Sequence, residues 1–411
     1  MSQIELRPLV KQIVESVRVT DVHTHLFPPS FQDVQMSGAD HLLTYHYLIA
    51  EAFRAHSLSY EEFWSLNTSG QAGVIWESLF VNATPLSEAA QGVVAIAQAF
   101  GCDVQHFGLQ GLRGKLSSVA SAAYVDDVLD RSGVDTLVMT NDPLDEEENK
   151  YWVSGASVHP RFHAALRLDR LVNSFVAAVP LLESQGYAVR QNFAGDSWAE
   201  LERFLVTWVD RMKPLYCALS VSDEFDFPEA SDRGRLLAEL ILPFCRARKL
   251  PLALMIGARR QVNPQLHSAG DGVGQASLRA IERLCDRYSE NKFMVTALSR
   301  ENQHELIVAA RKFRNLMPFG CWWFVNTSSL VDEITRMRVE LLGPTFIPQH
   351  SDARVLEQLV YKWKQTREMV TDVLVDKYAE LEAMGWNVSA GDITRDVEQM
   401  FNSNFWSFVR M

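Results

Sequence analysis

Val17-Arg18-Val19-Thr20-Asp21-Val22-His23-Thr24-His25-Leu26 is the stretch on which the fold turns. Its β-branched residues favour a strand, and the turn-prone Phe27-Pro28-Pro29 ends it. Residues two apart on a strand share a face, so Asp21, His23 and His25 point the same way. Two neutral imidazoles converging on one spot suit a borderline-soft divalent cation, and Asp21 is placed to orient one of them. A His-x-His pair also arises by accident; its position decides between the two readings. The pair lies at a strand-to-loop junction, where α/β barrels carry their functional side chains.

Seven further apolar runs follow: Thr136–Thr140, Phe162–Leu168, Leu215–Val221, Pro251–Ile256, Phe293–Leu298, Leu316–Phe324 and Thr345–Pro348. Most are continuously apolar, as strands buried on both faces of a parallel sheet are. Helical patterns lie between them. Leu201, Phe204, Leu205, Trp208, Val209 and Met212 form one apolar stripe, and Ser197-Trp198-Ala199-Glu200 supplies a capping box at its start. Ala353 to Met384 and Asp392 to Val409 read as two more helices.

Eight strands alternating with helices predict an α/β fold, a (β/α)₈ TIM-type barrel, over residues 1–411 as a single domain. An open doubly wound sheet would carry a Gly-rich phosphate turn after the first strand, and none is present. The gap from Leu26 to Thr136 far exceeds a usual βα loop. Its text over 38–133 is helical and aromatic-rich (Tyr45, Tyr47, Phe53, Phe63, Trp64), which predicts a helical insertion capping the active-site face. Residues 353–411 are expected to form the C-terminal helices.

The 411 residues carry 39 basic and 51 acidic side chains, a net charge of −12. Nucleic acid and anionic membrane surfaces need a basic footprint, so both are excluded as partners. A small anionic substrate stays open, since a few local arginines override the global sign. The cysteines Cys102, Cys217, Cys245, Cys285 and Cys321 are scattered and form no Cys-x-x-Cys, as in a cytosolic protein. Met1-Ser2-Gln3-Ile4-Glu5-Leu6-Arg7 has no signal-peptide character, and no stretch reaches the ~18 apolar residues of a membrane span. The expected location is cytoplasmic.

The eighth run ends in Pro348-Gln349-His350-Ser351-Asp352-Ala353-Arg354. In a closed barrel Asp352 stands across from His23 and His25 and completes a two-His, one-carboxylate metal site. The competing reading makes Asp352 the N-cap of the helix from Ala353. His350 competes as a ligand, because residues two apart on a strand share a face, and ranks below Asp352. Metal-dependent hydrolase barrels that open with His-x-His usually add a lysine after strand four and histidines after strands five and six. Here those strands read Tyr216-Cys217-Ala218-Leu219-Ser220, Met255-Ile256-Gly257 and Thr296-Ala297-Leu298-Ser299, which limits the site to one metal.

Further along, the chain carries Leu43-Thr44-Tyr45-His46-Tyr47-Leu48, Met139-Thr140-Asn141-Asp142-Pro143 and Arg161-Phe162-His163-Ala164-Ala165-Leu166-Arg167-Leu168-Asp169. Leu298-Ser299-Arg300-Glu301-Asn302-Gln303 and Phe319-Gly320-Cys321-Trp322-Trp323-Phe324 follow. With Asp21-Val22-His23-Thr24-His25 and Gln349-His350-Ser351-Asp352-Ala353-Arg354, this ordered set resembles the uronate (glucuronate) isomerases of the amidohydrolase superfamily, nearly end to end. The resemblance implies interconversion of D-glucuronate with D-fructuronate and of D-galacturonate with D-tagaturonate. It implies one zinc held by His23, His25 and Asp352, and a sugar site lined by His46, Tyr47, Arg167 and Arg354.

Aldose–ketose isomerisation moves a proton between carbon 2 and carbon 1 through a cis-enediolate, which needs a base and a group that stabilises the oxyanion. Asp352 is the leading base; Tyr47 or His46 would shuttle hydroxyl protons. Arginine forks bind carboxylates, and Arg167 and Arg354 divide the carboxylate and the enediolate oxygen in an order the sequence leaves open. Each assignment has a plainer rival. Arg167 and Asp169 would form a local ion pair, His46 and Tyr47 would pack in a core, and Trp322-Trp323 would serve barrel packing as readily as a sugar wall. His163 reads as a core histidine, His304 and Glu305 as helix-surface residues.

Two other functions compete with the isomerase. A lactonase or amidohydrolase with one metal would need Asp352 to activate water. A non-catalytic sugar-acid-binding barrel would not need a base. A homo-oligomer is the default assembly for a sugar enzyme.

Overall fold

The computed structural model describes residues 3–55 and 58–410. Met1 and Ser2 of the opening stretch, His56 and Ser57 within the 38–133 segment, and Met411 lie outside the described residues. Nine strands are present among these: β1 Val19–Thr24, β2 Val134–Asn141, β3 Phe162–Arg167, β4 Cys217–Val221, β5 Leu252–Ile256, β6 Ala258–Arg259, β7 Gly272–Val273, β8 Phe293–Ala297 and β9 Leu316–Pro318. Seven form one parallel sheet in the order β1-β2-β3-β4-β5-β8-β9, while β6 and β7 pair as a small antiparallel hairpin. The continuous apolar runs thus became parallel strands. The hairpin, too short for a periodic signal, had none in the sequence.

The eighth expected strand is where the structure departs from the pattern. Thr345–Pro348 forms a single bridge, Ile347 to Phe319, rather than a ladder. Pro318 and Pro348 lack an N–H, so the pairing cannot propagate past them. Gly320 N donates to Ile347 O at 2.9 Å and Ile347 N to Pro318 O at 3.2 Å. On the other side Asp352 N donates to His23 O at 3.2 Å and His25 N to Ala353 O at 2.8 Å. These bonds close the curled sheet into the TIM-type barrel. The seventh run likewise ends early: Gly320 takes a φ of 66°, and Trp323–Val325 is a 3₁₀ turn rather than strand.

Side chains pointing inward from the sheet, among them Val22, Val138, Ala165, Ala218, Ala253 and Met294, fill the barrel interior. Phe405 and Phe408 of the last helix, Asn404–Arg410, belong to the same cluster and close the floor. Asn404 Nδ2 fixes that helix to Pro344 O and Phe346 O, and Trp406 Nε1 donates to Thr20 Oγ1. Asp392–Val409 is therefore a chain of three pieces, Ala390–Glu398, a π-helical turn Gln399–Ser403, and Asn404–Arg410.

Two local expectations are corrected. The helix Ser197–Met212 buries the predicted stripe, yet its capping box does not form: Ser197 Oγ donates to Ala194 O, and Glu200 accepts from Ala188 N. The long helix runs Gln358–Ala383, not from Ala353. Asp352, at a φ of 51° and well ahead of the helix start, is not its N-cap, and Gln358 Oε1 accepts from Arg354 N and Val355 N.

Between β1 and β2 lies a succession of helices from Ala39–Leu43 to Ala122–Ser132. One of them, His46–Ala55, begins at the open end of the barrel and brings His46 there.

Candidate active site

Alternation along β1 puts the side chains of His23 and His25 at the carboxyl end of the sheet, their rings edge to face at 5.4 Å. Asp352 arrives from the irregular eighth segment. Its Oδ1 lies 3.6 Å from His23 Nε2 and 3.4 Å from His25 Nε2. Ligand atoms of these three residues all fall within 4.8 Å of one another, the one such cluster among the described residues. Burial drives the His23 pKa down to about 3, and that of His25 well below the ordinary value, so both imidazoles are neutral near pH 7. Asp352 Oδ1 is buried and accepts no hydrogen bond from protein. A buried carboxylate oxygen without a donor, facing two neutral imidazole nitrogens, is the donor set of a divalent metal site.

The surroundings hold these groups in place. Thr140 Oγ1 lies 3.2 Å and Tyr216 OH 3.4 Å from His23 Nδ1, and Tyr216 OH also donates to Val22 O at 2.6 Å. Asp21 bonds the backbone N–H of His23 rather than an imidazole. Its Oδ1 accepts from Ser351 N at 3.0 Å and its Oδ2 from Trp363 Nε1 at 2.9 Å, tying β1 to the segment that carries Asp352. Burial raises the Asp21 pKa to about 6. His350 stands outside the three-residue cluster, fully buried, with neither ring nitrogen hydrogen-bonded and its ring 5.2 Å from that of His23.

A cavity of about 440 Å³ opens on the cluster. Of the candidate residues, His46, Arg167, Trp322, Trp323 and Arg354 line it beside His23, His25 and Asp352. Tyr47 does not; it packs behind His46 with ring centres 4.5 Å apart. His163 stacks edge-on against Trp406 away from the cavity, and His304 and Glu305 are exposed. Arg167 combines both of its readings, since Nε and Nη2 bond Asp169 Oδ2 at 2.9 and 2.7 Å while the side chain lines the cavity. The Arg354 side chain has no partner among the described residues. His46 Nε2 and Trp323 Nε1 are likewise buried without one. Trp323 and Asp352 both hold a positive φ, 48° and 51°, a local strain found on this wall.

Sequence reasoning missed Thr140, Ser220, Met255 and Arg260 on the wall, and Asp169 except as a salt-bridge partner. Thr140 sat inside a quoted motif with nothing to single out its hydroxyl, and Arg260 comes from the unforeseen hairpin.

No protein-family model matches the chain, and no curated protein sequence does. Among solved structures, a uronate isomerase from Bacillus halodurans C-125 superposes with a TM-score of 0.96 at 47% identity, covering 100% of this chain and 97% of that one. The chain belongs to the uronate isomerase family. A uronate isomerase from Thermotoga maritima (TM-score 0.76, 13% identity, 98% and 97% of the two chains) and a glucuronate isomerase from Caulobacter crescentus (0.75, 13%, 99% and 94%) share the barrel fold. At that identity they speak for the fold alone. Within the uronate isomerase barrel described here, the ends of β4, β5 and β8 bring no lysine or histidine to the cluster of His23, His25 and Asp352.

Proposed function

We propose that this uronate isomerase interconverts D-glucuronate with D-fructuronate and D-galacturonate with D-tagaturonate by proton transfer between carbon 2 and carbon 1. The observation that carries the assignment of residues is the unpartnered Asp352 Oδ1 on a wall shared with two arginines. Asp352, in contact with the ion it would help to hold, is the base for the carbon 2 proton. His46, held neutral by burial, has a free Nε2 to pass a hydroxyl proton. Burial pushes the Tyr47 phenol well above its ordinary pKa, so Tyr47 stays protonated and acts on the ring of His46 rather than on substrate. Arg354, free at both edges of its fork, takes the substrate carboxylate bidentately. Arg167, clamped by Asp169, offers Nη1 to the enediolate oxygen. Trp322 and Trp323 form the apolar side, with Trp323 Nε1 as one fixed donor.

His23, His25 and Asp352 would hold one divalent ion, and two neutral imidazoles with one carboxylate suit zinc. When bound, such an ion lowers the cost of negative charge developing on a nearby oxygen. The same reading takes 1–411 as one barrel domain whose 38–133 helices cap the site, in a cytoplasmic and homo-oligomeric enzyme. No helix among the described residues is long and apolar enough to cross a membrane.

Proton NMR of D-glucuronate and D-galacturonate with metal-replete protein in deuterium oxide tests the function. Ketose formation, with deuterium entering next to the carbonyl, is expected; no ketose and no exchange with either sugar overturns it. Asp352→Asn is expected to lose turnover, and undiminished turnover removes Asp352 as base.

A further inference from the structure

Outside the inner cavity lies a second one, of about 780 Å³, whose wall shares Arg167, Asp169, Ser220 and Arg260 with the first. Two further guanidinium groups, Arg170 and Arg233, complete it, and Asp169 is the only carboxylate on this wall among the described residues. Asp169 is already engaged on both oxygens, by Ser220 N at 2.7 Å and by Arg167. The carboxylates that hold the other arginines, Asp142 and Asp145 for Arg170, Glu229 for Arg233 and Asp271 for Arg260, are not on the wall.

The arginines differ in what they have left to offer. Arg170 is used up on Leu144 O, Asp145 and Asp142. Arg233 bonds Glu229 through Nε and Nη2, Arg167 bonds Asp169 through the same two atoms, and Arg260 bonds Asp271 through Nη1 alone. Nη1 of Arg233, Nη1 of Arg167, and Nε and Nη2 of Arg260 therefore remain for a ligand. Arg260 is the hinge of the arrangement, because it faces both cavities and its only hydrogen-bond partner among the described residues, Asp271, is on its own hairpin. That hairpin is held over the site. Trp64 stacks on His267 at 4.2 Å and donates Nε1 to Gln265 O at 2.9 Å, and Asn263 Nδ2 donates to Tyr60 OH at 3.2 Å.

We propose that the outer cavity is a second binding site, for an oxyanion of carboxylate or phosphate type, with Arg233 and Arg260 as its principal donors. An anion seated there pairs with Arg233 and the free edge of Arg260, and passes inward along Arg260 and Arg167 to the reacting groups. This explains how a chain of net charge −12 admits an anionic sugar, and it rests on the uronate isomerase reading for the sugar's identity. A free phosphate-type anion has the same chemistry and would occupy the same donors.

Calorimetric titration of inorganic phosphate into the full-length, metal-loaded protein tests the site without turnover. Phosphate is expected to bind, and Arg233→Ala and Arg260→Gln each to weaken it at least tenfold while melting like wild type. Steady-state kinetics then separates the sources. If Arg233→Ala also raises the hexuronate KM severalfold, more than it lowers kcat, the site serves the substrate carboxylate. If KM stays put while phosphate binding is lost, the site serves a free oxyanion. Phosphate binding absent from wild type, or unchanged in both variants, together with an unchanged KM overturns the proposal. Should wild type fail to isomerise either hexuronate while phosphate binding follows the two arginines, the functional reading falls and the anion site stands.

Discussion

The imidazole of His350 lies directly over Gly320: a Cβ built there would fall 1.9 Å from ring Cδ2. Gly320 also holds a φ of 66°, which any other L-residue tolerates poorly. Gly320→Ala therefore cannot be absorbed by the neighbouring ring without moving the segment that ends in Asp352. The variant is expected to lose about 2–4 kcal/mol of stability to strain and overpacking. It should also bind metal more weakly, measured by denaturant unfolding and by metal titration. Wild-type values in both would show that the contact is slack.

Arg338, on the helix Ser328–Leu342, is fully buried with no carboxylate beside it. It donates Nη2 to Gly320 O at 2.8 Å and Nη1 to Ile347 O and Pro348 O at 3.3 and 3.4 Å. Those bonds stand in for the ladder that two prolines forbid. Arg338→Met keeps the apolar stem and removes a donor from all three carbonyls, leaving Gly320 O with none among the described residues, Ile347 O with Gly320 N and Pro348 O with Cys321 Sγ. A loss of about 3 kcal/mol is expected, partly restored in Arg338→Lys. Equal unfolding midpoints for Met and wild type would mean the carbonyls find other donors.

The legibility of this site followed the physics of each element. His23 and His25 were readable because strand alternation is strict, and Asp352 because a closed barrel returns its last segment beside its first. The eighth strand was not, since an apolar run reports burial and says nothing of hydrogen-bond partners. Arg338 looked like any charged residue of an amphipathic helix, and Tyr216 like barrel packing. Arg260 lies in a loop with no periodicity. Tyr47 shows the limit of adjacency: next to His46 in sequence, it is not among the residues that line the cavity with His46.

A buried carboxylate remote from the three-residue cluster predicts a pH dependence. Glu148 accepts from Asn141 Nδ2, Asp142 N and Trp152 Nε1, yet burial raises its pKa from 4.5 to about 7. Between those values the folded state keeps a proton that the unfolded state has released. Stability therefore falls as pH rises from about 4.5 to about 7, by about 3 kcal/mol from this group, and levels off above. Glu148→Gln is neutral throughout and should lack this component, so the difference between variant and wild type shifts toward the variant across that range. Urea unfolding at intervals of pH checks it; parallel curves would contradict it.

Metal removal is the complementary test of His23, His25 and Asp352. A protein holding an ion at a hundred times its dissociation constant gains about 2.7 kcal/mol. Chelation followed by dialysis should lower the melting temperature accordingly and abolish turnover, with zinc restoring both. His25→Ala should melt alike with and without chelator. An unchanged melting temperature after chelation of wild type would dismiss the metal site.

The gap in the barrel ladder has a consequence for how such a scaffold diversifies. A laddered strand relocates its side chains only in whole-residue steps, each of which turns every side chain to the opposite face. Asp352 escapes that quantisation. Its backbone meets β1 at two bonds, Asp352 N to His23 O and His25 N to Ala353 O, and the rest of its placement is set by side-chain tethers, Asp21 to Ser351, Arg338 to Pro348 and Gln349 to Cys321 N among them. Altering one tether re-aims the carboxylate by fractions of an ångström while the imidazole wall stays in register. The weakest seam of the cylinder is thus also the one dial by which its chemistry can be adjusted gradually.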